Sequence, residues 1–232
     1  MPVSNNAQAT SIPTGGTMSK FTRVVPAILT DDPNALKTMI CQAESFTDYI
    51  QIDIMDGQFV PSRSINWENM ANLTVKIGWE VHLMVLHPEN YVYGFRQAGT
   101  QKVIFHYEAT SSPDRVISNV RDMGLKVGLA INPETTIPTI LPLINKVDSV
   151  LLLTVNPGFW GSKFIPEVMD KVVELRRTRP DLEISVDGGI KESNIAQIAR
   201  AGVDVICVGS AIFLQPEPGE SFRRLLALAQ ES

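Results

Sequence analysis

The chain has only two cysteines, Cys41 and Cys207, in 232 residues. That is too few for a disulfide framework, and both lie in apolar contexts that read as buried free thiols in a reducing cytoplasm. Long hydrophobic runs are also lacking. The longest, VDSVLLLTV (147–155), falls far short of the ~20 apolar residues a membrane span needs. There is no basic block, and a formal net charge of −5 argues against nucleic acid as a partner. The opening residues, MPVSNNAQATSIPTGGTMSK, contain no apolar stretch of the kind a secretory signal requires. Residues 1–22 are therefore expected to be a polar, disordered leader, with Met18 as an alternative start.

Two further absences narrow the fold and the chemistry. The turn after the first β-branched run reads LTDDPN (29–34) and has no Gly-rich fingerprint, which disfavours a doubly wound dinucleotide-binding sheet. No lysine stands at the C-terminal end of a predicted strand, so a Schiff-base mechanism lacks its nucleophile; Lys163 lies too far along its loop.

What is present is a regular alternation. Strand-like runs occupy 24–28, 49–54, 80–85, 102–107, 126–131, 149–155, 183–188 and 203–209. Between them lie segments with helical periodicity, clearest at 33–46, 88–99, 112–124, 165–178, 191–202 and 219–230, and weaker at 65–76 and 135–145. Pro33, Pro88 and Pro113 sit near helix starts, while Gly99, Gly124 and Gly202 sit at helix ends. With 44% hydrophobic residues and no linker, the expectation is one α/β domain over 23–232, a single (β/α)8 TIM barrel.

In such a barrel alternate strand residues face inward, and the site forms at the C-terminal strand ends. YIQIDIM (49–55) alternates Ile50, Ile52 and Ile54 with Gln51, Asp53 and Met55. The next strand likewise sets Val81, Leu83 and Val85 against Glu80, His82 and Met84, and SVDGG (185–189) places Asp187 at a similar height. Two carboxylates, an imidazole and an amide from three strands can therefore converge in one mouth. Gly158 and Gly161 after the sixth strand, Gly188 and Gly189 after the seventh, and Gly209 with Ser210 after the eighth suit backbone donors to a phosphate. His87 is expected to face solvent, and His106 to line the mouth or bond a neighbouring loop.

The stretches IDIMDGQFVP (52–61), VHLMV (81–85), NPGF (156–159), KFIPEV (163–168), VDGGI (186–190) and VGSAIF (208–213) resemble the ribulose-phosphate 3-epimerase family. The resemblance implies a cytoplasmic isomerase of carbohydrate metabolism that inverts C3 of D-ribulose 5-phosphate to give D-xylulose 5-phosphate. It implies one divalent metal ion (Mn, Mg, Fe or Zn), no organic cofactor and a sugar-phosphate substrate; a homo-oligomer is also expected. By the same resemblance Asp53 and Asp187 are the catalytic acid and base and also metal ligands, with His82 as the nitrogen ligand. Met55, Met84, Gly158, Phe159, Trp160, Gly161, Gly188, Gly189, Gly209 and Ser210 are the implied substrate contacts.

The departures from the family cluster in the same pocket. Gln51 replaces the histidine of a His-x-Asp pattern, and its amide oxygen would suit Mn²⁺ or Mg²⁺ better than zinc. Ala27 replaces a serine, Leu153 a methionine, Trp160 a glycine and Ser162 a glutamine. Two other readings remain: a weakly catalytic sugar-phosphate binder that has lost a metal ligand, and a related decarboxylase. The decarboxylase lacks its Asp-x-Lys-x-x-Asp pattern on the third strand.

Overall fold

The computed structural model of the protein describes residues 22–158 and 163–231. Apart from Thr22, the expected leader lies outside these residues, as do Phe159, Trp160, Gly161 and Ser162. Thr22 already belongs to the barrel, since it is buried and its hydroxyl donates to the Val203 carbonyl at 3.0 Å.

Strands β1 (Arg23–Ile28), β2 (Tyr49–Met55), β3 (Gly78–Met84), β4 (Lys102–His106), β5 (Lys126–Ile131), β6 (Ser149–Leu153), β7 (Glu183–Asp187) and β8 (Val205–Val208) are the eight staves of a closed parallel barrel. β1 pairs with both β2 and β8, which closes the ring. The expected (β/α)8 architecture is what the chain adopts. Its register follows from the period-two pattern. Ile50, Ile52 and Ile54 are fully buried among the helices, each side chain contributing about 1.5–3 kcal/mol. A slip of one residue would turn all three inward and drive Gln51 and Asp53 into that apolar layer, so the pairing Asp53 with His82 is strongly specified.

The helices are α1 (Pro33–Ala43), α2 (Trp67–Ala71), α3 (Val92–Ala98), α4 (Pro113–Asp122), α5 (Ile137–Ile140), α6 (Met169–Thr178), α7 (Ile195–Arg200), α8 (Ser210–Phe213) and α9 (Pro218–Gln230). Asp32 opens α1 by accepting from the Asn34 N–H at 2.8 Å, ahead of a proline in the first turn. The two weak segments shrink to α2 and α5. In α5 Pro138 is tolerated in the first turn, but Pro142 has no N–H to carry the helix further. The 88–99 segment opens as a 3₁₀ turn, Pro88–Asn90, before α3. Cys41 corrects the expectation of two buried thiols: it is exposed on α1, and only Cys207 is buried. Among the described residues no helix is long and apolar enough to cross a membrane.

The barrel interior is layered. At its floor Lys102 lies 3.2 Å from Glu80 and 2.9 Å from Glu183, and Glu183 also meets Arg23 at 2.8 Å. Burial disfavours the Lys102 ammonium; the charges of Glu80 and Glu183 more than offset this and raise its pKa above the ordinary lysine value. An apolar layer including Ile104, Leu151, Ala27 and Cys207 lies above the floor. The mouth is polar again.

The floor yields a stability prediction. Lys102→Met should cost about 3–5 kcal/mol in urea denaturation, because it strands the buried Glu80 carboxylate. Adding Glu80→Leu should restore most of the loss. A neutral Lys102→Met would mean that the floor is not held by charge.

Candidate active site

Asp53 and Asp187 reach the mouth from β2 and β7, three steps apart round the ring through β1 and β8. His82 comes from β3, paired in register with Asp53. Its Nδ1 donates to Asp53 Oδ1 at 3.1 Å and lies 3.5 Å from Asp187 Oδ2. The three residues each offer one ligand atom, and these atoms lie within 4.8 Å of one another. Two carboxylate oxygens and one imidazole nitrogen form a donor set that suits a first-row divalent ion.

Gln51 is fully buried beneath them. Its Nε2 donates to Asp53 Oδ1 and to Asp187 Oδ2, both at 2.8 Å. Its carbonyl oxygen, the atom that would ligate an ion, instead accepts from the Cys207 thiol at 3.2 Å. In this orientation Gln51 acts as a donor between the carboxylates, not as the oxygen ligand expected from the sequence.

The electrostatics follow from burial and proximity. Asp53 is raised to about 6, first by burial and then by the charge of Asp187, with bonds from His82 and Gln51 opposing the rise. Burial would lower His82, yet its bonds with Asp187 and Asp53 and their charge raise it to about 9. His106 goes the other way, to about 4, because burial and the neighbouring His82 both disfavour its charge. The two rings meet at 2.9 Å, Nε2 to Nε2. A charged His82 therefore donates to a neutral His106, whose Nδ1 faces Glu108 at 3.4 Å. Glu108 in turn holds the loop after β5 by accepting from Asn132 N–H and the Thr135 hydroxyl. His106, expected from its place at a strand end beside Glu108 to line the mouth or bond a neighbouring loop, is instead a buried neighbour of the site that bonds His82.

Asp53, His82 and Asp187 line a pocket of about 700 Å³, counting the space at its mouth. Met55, Met84, Gly158, Gly188, Gly189, Gly209 and Ser210 line it too, as do Ala27, Leu153 and Cys207. Met55, Met84 and Val60 pack together as one apolar wall, with Leu29 and Phe59 against them. The DGG turn needs its glycines. Gly188 and Gly189 have φ of 112° and 67°, and a Cβ on Gly189 would come within 2.7 Å of the Phe164 backbone nitrogen. His87 is exposed, away from the pocket. Cys207 was legible only as a buried thiol; its bond to Gln51 spans 156 residues of sequence and no local motif announces it.

The chain matches the model of the ribulose-phosphate 3 epimerase family over residues 23–213. It is 36% identical over 219 residues to ribulose-phosphate 3-epimerase of Schizosaccharomyces pombe, covering 90% of this chain and 96% of that one. The corresponding protein of Escherichia coli is 37% identical over 202 residues, covering 84% and 90%. The crystal structure of 3-hexulose-6-phosphate synthase from Salmonella typhimurium superposes with a TM-score of 0.69 at 16% identity, covering 90% of this chain and 99% of that chain. At that identity the likeness shows the fold alone.

An ion at this site and the proton on His82 Nδ1 compete for one lone pair. With His82 at about 9, divalent-ion affinity should rise about tenfold per pH unit between pH 6.5 and 8.5. Below about 6 the slope should steepen as Asp53 takes up a proton. Calorimetric titration of Mn²⁺ in buffers of different ionisation enthalpy would count the released proton. A flat affinity across this range would remove His82 from the ligand set.

Proposed function

The chain belongs to the ribulose-phosphate 3-epimerase family, and from that premise we propose that it inverts C3 of a ketose phosphate, D-ribulose 5-phosphate or a close analogue. The observation that carries this reading is the pair Asp53 and Asp187, approaching one pocket from separate strands and held by the same Gln51 amide.

Epimerisation at C3 demands such a pair. The C3 proton is acidic only because it lies α to the C2 ketone, so its loss produces a planar enediolate. Inversion then requires a proton from the face opposite the one that lost it. One carboxylate removes the proton as base and the other, protonated, returns it; the reverse reaction exchanges their roles. A carboxyl at about 6, as for Asp53, can serve either way near neutral pH. Met55 and Met84 would flank the intermediate with polarisable, uncharged groups.

A divalent ion held by Asp53, His82 and Asp187 would stabilise the negative charge on the substrate oxygens as a Lewis acid. His106 supports that role for His82 by accepting from its far nitrogen and fixing the ring. The phosphate is assigned to backbone N–H groups of Gly189, Gly209 and Ser210 in the same pocket, where glycine lets the chain come close to the oxygens.

Asp53→Asn and Asp187→Asn should each lower epimerisation of D-ribulose 5-phosphate by ~10²–10⁴. Deuterium uptake at C3 from heavy water should separate the two: a variant lacking only the returning acid still abstracts the proton. Full activity in either variant would place the chemistry elsewhere. In crystals grown with inorganic phosphate, the anion should sit against Gly189, Gly209 and Ser210. An anion held by arginine side chains away from those glycines would refute the phosphate assignment.

A further inference from the structure

We infer that Cys207 is a positioning residue for the metal site: by holding the Gln51 amide with its NH₂ toward Asp53 and Asp187, it makes the protein's own amide compete with a divalent ion for those two carboxylates. The inference rests on the reading that Asp53, His82 and Asp187 are the ion's ligands.

The orientation of the amide follows from the chemistry of its neighbours. Ionised carboxylates only accept, so the group lying 2.8 Å from both Asp53 Oδ1 and Asp187 Oδ2 has to be the amide nitrogen. Cys207 stands beside Asp187 in the β7–β8 register, with its sulfur 3.2 Å from Gln51 Oε1. The thiol S–H is a donor, and the amide oxygen is the acceptor that it faces. A turned amide would press its carbonyl against two anionic oxygens and leave its NH₂ facing sulfur, a weak acceptor. Both Gln51 and Cys207 are buried and fixed on barrel strands, so the arrangement is rigid.

The consequence for an ion is direct. Asp53 Oδ1 already receives both Gln51 Nε2 and His82 Nδ1, and Asp187 Oδ2 receives Gln51 Nε2 as well. An ion ligated by these atoms has to displace the amide. Gln51 can join the ligand set only by turning Oε1 inward, which breaks the Cys207 bond. The thiol acts on the ligand set through its bond to Gln51.

The test is Mn²⁺ binding to the full chain after chelation, read as free Mn²⁺ by electron paramagnetic resonance, without substrate. Cys207→Ala should tighten binding about three- to tenfold, the equilibrium equivalent of one net hydrogen bond. Cys207→Ser should stay close to the parent, because its hydroxyl still donates to Oε1. Gln51→Ala should also tighten binding, because it removes the competing amide. Adding Cys207→Ala to Gln51→Ala should change nothing further. Thermal unfolding would check each variant, and Cys207→Val serves the same comparison if the alanine variant fails to fold. Unchanged or weaker binding in the Cys207 variant, an equal Cys207 effect without Gln51, or no measurable binding in Gln51→Ala would each overturn the inference. Because no substrate is present, that failure would leave the epimerase reading standing. An inactive chain showing the predicted order of affinities would do the reverse.

Discussion

Two carboxylates brought together out of water repel each other, and the upper half of this barrel is arranged around that repulsion. Burial and the charge of Asp187 together raise Asp53 to about 6. What keeps the pair in place is a set of donors: the Gln51 amide from β2, the strand that also carries Asp53, and the His82 imidazole from β3. Each donor is itself held. Cys207 on β8 faces the amide oxygen, and His106 on β4 accepts from the far side of His82. Removing any member would leave another polar atom buried without its partner, which is why these residues behave as a unit.

The scaffold makes this possible by separating charge into two layers. The floor holds Lys102 between Glu80 and Glu183, and the mouth holds the two aspartates with His82. Apolar side chains such as Ile104 and Leu151 lie between them. Outside the ring, the isoleucines and valines of every strand bind the helices and fix the register. The strand ends are thereby free to carry groups chosen for chemistry, because the fold does not depend on their packing. This division also explains why the loops after β6, β7 and β8 can be glycine-rich without loosening the barrel.

Most of this division was legible in the sequence. Alternation in YIQIDIM and EVHLM states which side chains face inward, and the end of each run states their height. Hence Asp53, His82 and Asp187 could be placed in one mouth before any coordinates. The orientation of Gln51 could not. A period of two assigns a side chain to a face, not the nitrogen of an amide to one neighbour and its oxygen to another. That choice is made by Asp187 and Cys207, lying 136 and 156 residues away. The exposed Cys41 illustrates the converse limit: an apolar stretch on a helix still has a solvent side, and a small thiol can occupy it.

The replacement of imidazole by an amide at Gln51 changes more than ligand strength. A ligating imidazole turns a lone pair toward the carboxylates, and only a cation placed between them makes that arrangement favourable. The Gln51 amide instead turns two N–H groups toward them and is neutral, so it lowers their repulsion with no added charge. Protonated His82 offsets part of the remaining negative charge. The same two carboxylates are thus bridged by the chain's own donors, and an ion that enters must do better than these. Cys207, on a strand that contributes no acid or base, decides how strongly they resist.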